Sequence, residues 1–260
     1  MDLEKLKEDW ESLAKSDALG AILTDQSKAG GKWQLDEFMA TGEAEVVTVM
    51  EHLRHIGHEP DFRGAALDFG CGVGRLTQAL ARRFARCVGV DISQEMVDQA
   101  EQLNKYGHCR YVMNADQQLP FREGQFAFIY CNIVLQHVPR RFAEEYLREF
   151  VRILGAGGVL VFGVQNSFAM PDLGSRVTRI RQILRIRSRI KRALGSSEGE
   201  MLMHCLPEDA VRRALGDAAK VVDVQWTNTA AKDFNGKLVY LDQPLRSGYV
   251  GKQYCVLKTG

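Results

Sequence analysis

Between residues 63 and 165, short apolar or β-branched runs (AALDF, CVGVD, CRYVM, FAFIYC, GVLVFGV) alternate with stretches of helical periodicity (RLTQALARRF, SQEMVDQAEQLNKYG, RRFAEEYLREFVRIL). Strands that are apolar along their whole length must be covered on both faces. When a helix follows each one, a parallel sheet between two helical layers does this. A chain of 260 residues can bury roughly three quarters of its unfolded surface in one large domain, so the flanking segments are read as additions to this core. Residues 1–62 form a helical extension: Leu3, Leu6, Trp10 and Leu13 recur at helical spacing, as do Val46, Val47, Met50 and Leu53. Residues 166–206 are a basic insertion. Residues 207–260 complete the sheet, with PEDAVRRAL as helix, AKVVDVQW as strand, a loop bearing Tyr240 and Tyr249, and KQYCVLK as the last strand.

In such a sheet, ligands bind beyond the carboxyl ends of the strands, above all at the first strand-to-helix turn. LDFGCGVGRL occupies that turn. Gly70, Gly72 and Gly74 carry no side chain, so the backbone can turn left-handed and approach a ligand closely; a tight packing turn is the plainer alternative. Asp68 stands two residues before the first glycine. Beside a pyrophosphate an acid would be repulsive, whereas an ammonium or sulfonium ligand welcomes it, which points to S-adenosylmethionine rather than NAD. Asp91 closes the second strand, where a carboxylate can accept hydrogen bonds from both ribose hydroxyls. It can also cap the next helix, although Ser93 is able to do that.

Four blocks, LDFGCGVGRLT, VGVDISQEMVDQA, NADQQLPFREGQFAFIYCNIVLQHV and YLREFVRILGAGGVLVFGV, make residues 63–165 resemble the core of the class I, Rossmann-like S-adenosylmethionine-dependent methyltransferases. The resemblance is to the broad group that includes quinone-biosynthesis and other small-molecule methyltransferases. It implies a doubly wound α/β sheet of seven strands with the last antiparallel. It also implies S-adenosyl-L-methionine as cofactor and S-adenosyl-L-homocysteine as product. Asp68, Gly70, Cys71, Gly72 and Gly74 would then surround the methionine part, Asp91 the ribose, and Ile92 and Met96 the adenine. Cys131, Asn132 and Gln136 would line the methionine and methyl end. One departure stands out: the family's Gly-Asp-Ala is here Asn114-Ala115-Asp116, with the acid one place late. Either Asp116 or the Ala115 backbone is left to meet the adenine.

Methyl transfer from a sulfonium is an in-line displacement, so alignment and exclusion of water come before any dedicated catalytic group. For a protonated acceptor a general base helps, and His137, just past the fourth strand, titrates in the right range; a capping or packing role is the alternative. His204 is the second candidate. GGKWQLDEFMATGE is expected to fold over the cofactor, with Trp33 and Phe38 as apolar cover and Thr41 and Glu43 as polar contacts, unless both aromatics merely dock the extension. His52, His55, His58 and His108 show no ligand spacing, and no metal is expected.

Lysine plus arginine (34) nearly balances aspartate plus glutamate (33), so no global field draws the chain to nucleic acid or membrane. Six scattered cysteines without a CxxC pair, a charged start and apolar runs shorter than a membrane span suit a cytoplasmic protein. RVTRIRQILRIRSRIKRAL places eight basic residues between Arg176 and Arg192. Three readings stay open for 176–194: an amphipathic helix docked on the core, a lid for an anionic, glycan or lipid-linked substrate or a membrane surface, and an RNA contact. The expected function is methyl transfer to a small-molecule acceptor, oxygen first. A methyltransferase acting on RNA or protein, or a non-catalytic cofactor-binding partner subunit, is the alternative.

Overall fold

The computed structural model describes residues 2–28, 30–169, 203–231 and 234–259. The stretch 176–194 and most of the insertion lie outside the described residues; residues 166–169 continue the fifth strand.

Strands β1 (Ala65–Phe69), β2 (Arg86–Asp91), β3 (Cys109–Met113), β4 (Phe126–Cys131) and β5 (Leu154–Ala169) pair in parallel. Strand β8 (Gly248–Lys258) lies antiparallel between β5 and β6 (Ala219–Thr227). The two residues of β7 (Tyr240–Leu241) add an edge to β6. The described sheet therefore has eight strands in the order β3-β2-β1-β4-β5-β8-β6-β7, one more than the seven expected, and the last strand is antiparallel as expected. The additional strand is β7, which the sequence disguises as loop because it has only two residues. The order reverses between β1 and β4, each of which is flanked by the other and by a strand wound the opposite way. A crevice opens above their carboxyl ends at such a point.

Helix α1 (Leu3–Ile22) and helix α2 (Leu35–His55) precede the sheet, and α3 (Arg75–Ala81), α4 (Gln94–Leu103), α5 (Arg140–Ile153) and α6 (Glu208–Leu215) cross it. Helix α5 buries Phe142, Ala143, Tyr146, Leu147, Phe150 and Val151, a stripe at helical spacing. With Val211 and Leu215 of α6 this stripe covers one face of the sheet over Leu67, Ile129 and Phe162. Val46, Val49, Met50 and Leu53 of α2 join Leu76 and Leu80 of α3 on the other face, against Ala66, Phe128 and Val161. The N-terminal extension is therefore part of the core. Helix α1 starts at Asp2, whose carboxylate accepts from the Lys5 N–H (2.9 Å).

Inside this second layer sits an ionic hub. Glu45 on α2 is wholly buried and accepts from Arg75 Nη2 (2.9 Å), Tyr130 OH (2.8 Å) and Asn132 Nδ2 (2.8 Å). Arg75, only 2% exposed, also donates from Nη1 to Thr41 Oγ1 (3.2 Å). A buried charge is tolerable only when paired and bonded in this way, and removing one partner typically costs about 3–5 kcal/mol. Arg75→Leu is thus expected to lower stability by roughly that amount in urea unfolding. The double variant Arg75→Leu, Glu45→Gln should lose less than Arg75→Leu alone, because it leaves no orphaned charge.

Candidate cofactor and active site

Three turns converge on the crevice. After β1 the chain passes through Gly70 (φ 75°) and Gly72 (φ 51°), a left-handed path open to glycine. Space is as restrictive as the backbone there. A Cβ on Gly70 would lie 2.3 Å from Val134 Cγ2, and one on Gly72 would lie 2.4 Å from Ile22 Cδ1. The loop is wedged between the turn after β4 and the end of α1, and the Gly70 and Cys71 N–H groups donate to the Val90 carbonyl at 2.7 and 2.9 Å.

After β2 comes Asp91. Its Oδ2 accepts from the Gly72 N–H (2.8 Å) and its Oδ1 from the Ser93 N–H (3.0 Å), so one carboxylate ties the glycine loop to the start of α4. Burial pushes its pKa up against these backbone bonds. Each oxygen retains a further lone pair for a diol. Capping of α4 falls to Ser93, whose hydroxyl accepts from the Met96 N–H (3.2 Å). After β4, Ile133 adopts φ 53°, a strained conformation for a β-branched residue.

The pocket between these turns is lined by Gly70, Cys71 and Gly72, by Asp91, Ile92, Met96 and Asn114, by Asn132, Ile133, Val134 and His137, and by Arg75. Its roof is α1, through Leu6, Trp10, Ala21 and Ile22. Trp10 meets His137 edge-on at 5.5 Å between ring centroids. Glu11 fastens this helix to α4, accepting from Ser93 Oγ (2.7 Å) and the Glu95 N–H (3.2 Å).

Other expected site residues fall elsewhere. Asp68 does not line the pocket; it lies beneath the loop and accepts from Thr77 Oγ1 on α3 (2.7 Å). Gly74 caps α3 there. Asp116 is exposed on a separate surface concavity that also includes Ala115, and its carbonyl accepts from Asn114 Nδ2 and Tyr146 OH. Of this trio Asn114 is the residue that reaches the pocket. Trp33 and Phe38 form no cover over it: they are buried against Leu23, Val73 and Phe234, with Trp33 Nε1 donating to the Leu23 carbonyl (3.2 Å). Thr41 belongs to the Glu45 hub, and exposed Glu43 pairs with Arg82. Gln136 is buried behind the pocket, its Oε1 accepting from Gln165 Nε2 (2.9 Å). His204 sits outside the pocket lining, its N–H bonded to the Gln136 carbonyl (2.6 Å), and burial lowers its pKa. Conversely, Leu6, Trp10, Ile22, Arg75 and Tyr146 line the pocket without having been singled out as site residues in the sequence. The periodicity of α1 was visible, but it reads equally as core packing.

For metal binding, the described residues bring together His52, Asp223 and Cys255, with candidate ligand atoms within 4.8 Å of one another. His52 Nε2 and Asp223 Oδ2 share a hydrogen bond at 2.7 Å, and Gln225 donates to both Asp223 oxygens. The carboxylate is already occupied.

A glycine loop wedged at the reversal of strand order, joined by a carboxylate at the end of β2, matches a known family over residues 67–162, the methyltransferase domain family. Over these residues the chain is similar to a methyltransferase domain. Relatives of this domain include a ubiquinone biosynthesis O-methyltransferase of Methylococcus capsulatus, 30% identical over 109 residues that cover 39% of this chain and 43% of that enzyme. An uncharacterized protein of Methanocaldococcus jannaschii is 31% identical over 136 residues, covering 51% and 56%. The chain thus spans about half the length of the curated relatives it matches. Two solved structures share the fold over nearly the whole chain. Magnesium protoporphyrin IX methyltransferase from Synechocystis with bound SAM has a TM-score of 0.59 at 17% identity, covering 100% of this chain and 98% of that one. A SAM-dependent methyltransferase of Leishmania major has a TM-score of 0.60 at 12% identity, covering 98% and 82%. The chain therefore shares the Rossmann-like α/β fold of these methyltransferases.

Two measurements check this site. Asp91→Ala is expected to weaken S-adenosyl-L-homocysteine binding by roughly a hundredfold or more in calorimetry, the loss of two charge-assisted hydrogen bonds. Burial also pushes Asp68 up to about 7, opposed by the Thr77 hydrogen bond. Its carboxyl then keeps its proton in the fold after an unfolded aspartate has lost it near 3.8, so the native state holds more protons between these values. Stability from this group falls as pH rises across that window and the penalty is complete above it. In melts at pH 5 and pH 8, Asp68→Asn should flatten the decline and gain most at pH 8.

Proposed function

We propose that this chain transfers a methyl group from S-adenosyl-L-methionine to a small-molecule acceptor, releasing S-adenosyl-L-homocysteine, with oxygen the favoured target atom. The observation that carries the proposal is the Asp91 carboxylate, which faces the same pocket as the glycine loop and bonds to it. When bound, the cofactor supplies an electrophilic methyl group: its bond to sulfur breaks with the electron pair left on sulfur as a bond forms to the acceptor.

Asp91 holds the ribose diol, with Ile92, Met96 and Asn114 around the base. Arg75 faces the pocket, and its Nε is buried without a hydrogen-bond partner, which fits an anchor for the carboxylate of the aminobutyrate group. Leu6, Trp10 and Ile22 of α1 keep water from the methyl group. His137 lines the pocket beside Asn132–Val134 and is the group placed to take the proton an acceptor hydroxyl must lose; His204, outside the lining, is the second candidate. The curated relative's O-methyl transfer in ubiquinone biosynthesis supports a small acceptor and oxygen chemistry. Free thiols at all six cysteines, and no helix among the described residues long and apolar enough to cross a membrane, suit a reducing cytoplasm. An anionic, glycan or lipid-linked acceptor would be the counterpart of the basic stretch 176–194.

The test is incubation of the purified protein and S-adenosyl-L-methionine with fractionated cell extract, read by mass spectrometry. A metabolite gaining one methyl group is expected. Methylation confined to the RNA or protein fraction, or none at all, would overturn the reading. With the acceptor in hand, His137→Ala should lower turnover by about 10² to 10⁴ fold while leaving S-adenosyl-L-homocysteine affinity unchanged.

A further inference from the structure

Asn132 has one end of its carboxamide fixed and the other free. Its Nδ2 donates to the Glu45 carboxylate (2.8 Å), which accepts and so sets the orientation of the amide: nitrogen to Glu45, oxygen away. That oxygen, Oδ1, is buried with no hydrogen-bond partner. Leaving a carbonyl dry and unpaired costs about 1–3 kcal/mol, and this one lies on a residue that lines the cofactor pocket.

This oxygen packs against Gly163. A Cβ at that position of β5 would lie 2.4 Å from Asn132 Oδ1, so no side chain can stand there while Asn132 keeps its bond to Glu45. Gln165, two residues further along β5 and so on the same face, is completely buried. Its Nε2 donates to Gln136 Oε1 (2.9 Å) and its Oε1 has no partner. Turning the Gln136 and Gln165 amides together would leave the nitrogen of Gln165 free instead. In either setting one end of this carboxamide is unpaired. The neighbouring Ile133 carries the left-handed strain described above, the kind of local cost that marks ligand-contacting turns. Gln253, which pairs with Gly163 across the strands, has a partner at each end of its amide, donating to Tyr130 OH and accepting from Tyr240 OH.

We infer that Asn132 Oδ1 is the group that positions the methyl acceptor, by accepting a hydrogen from its nucleophilic hydroxyl or amine, and that Gly163 and Gln165 form the niche beside it. The inference rests on the methyltransferase reading and narrows it. The acceptor must attack through an atom that carries a hydrogen, because an amide oxygen gives nothing to a nucleophile that cannot donate. Asn132 is a positioning residue here: it aims the nucleophile's lone pair along the sulfur–methyl axis and takes no proton.

The test compares wild type, Asn132→Ala and Gln165→Leu, each shown to be folded by its melting transition. Calorimetry with S-adenosyl-L-homocysteine reads the cofactor. Crystals of that complex soaked with phenol and ethanolamine, and with anisole and N,N-dimethyl-2-methoxyethylamine as partners lacking donors when neutral, read the niche; the soaks are kept at a pH where the blocked amine is unprotonated. The expected result has three parts. Cofactor affinity stays within about twofold in Gln165→Leu, the variant that leaves the Glu45 hydrogen bonds intact. Phenol or ethanolamine places its oxygen or nitrogen within hydrogen-bond distance of Asn132 Oδ1. The blocked compounds are absent, and occupancy in Asn132→Ala drops by roughly tenfold, the worth of one hydrogen bond. Which end of ethanolamine lies at Asn132 Oδ1, its oxygen or its nitrogen, separates hydroxyl from amine acceptors. Equal binding of the blocked compounds, or an empty niche in the wild-type soaks, would overturn the inference. If wild type itself fails to bind S-adenosyl-L-homocysteine, the methyltransferase reading fails first, and that outcome is distinct from the others.

Discussion

A single buried carboxylate holds the site side of the molecule together. Glu45 enters from α2 and is met by Arg75 from the first turn of α3, Tyr130 from β4 and Asn132 from the turn after β4. A negative charge in the interior is stable only inside such a bonded set, so these four residues must keep their relative positions for the fold to persist. Arg75 directly follows the glycine loop, and Asn132 begins the turn that packs on Gly70. The hub thereby fixes both walls of the crevice from beneath. Helix α2 was expected as part of an appended extension; through Glu45 it becomes structural to the site.

Above that base, function follows from the winding of the sheet. The strand order reverses between β1 and β4, opening space at their carboxyl ends, and the residues that close this space come from opposite directions in the chain. Gly70 and Gly72 let the backbone approach, Asp91 ties the approach to the next strand, and Ile22 and Val134 press on the loop where side chains would otherwise be. The roof is α1, held down by Glu11 on the start of α4. A pocket built this way is roofed by the apolar side chains of α1 over a polar floor, which suits a displacement that needs alignment and dryness.

How much of this the sequence discloses depends on the range of the interaction. The alternating strands and helices, the glycine spacing and the acid closing β2 are local patterns, and residues 65–162 fold as they suggest. The two-residue β7 has too little sequence to carry a period. Asp116 illustrates a register effect: shifted one place from the family pattern, it points away and Asn114 takes the pocket side. Trp33 and Phe38 resemble cover because they are aromatic beside a glycine pair, yet their burial against Leu23 and Val73 makes them core, while Trp10, indistinguishable from a core residue by spacing, is the tryptophan over the pocket. The Glu45–Arg75 pair spans 30 residues and has no pattern at all. Its trace is an arginine placed between a glycine loop and an apolar helix, where a charge needs a partner. The left-handed Ile133 leaves no trace, since nothing in its identity favours that conformation.

The most direct measurement of the central claim is a calorimetric titration of the folded 260-residue chain with S-adenosyl-L-homocysteine at neutral pH. The account expects saturable binding at one site per chain, competed by S-adenosyl-L-methionine and unaffected by NAD. Absence of saturable heat, or displacement by NAD in place of S-adenosyl-L-methionine, would contradict it.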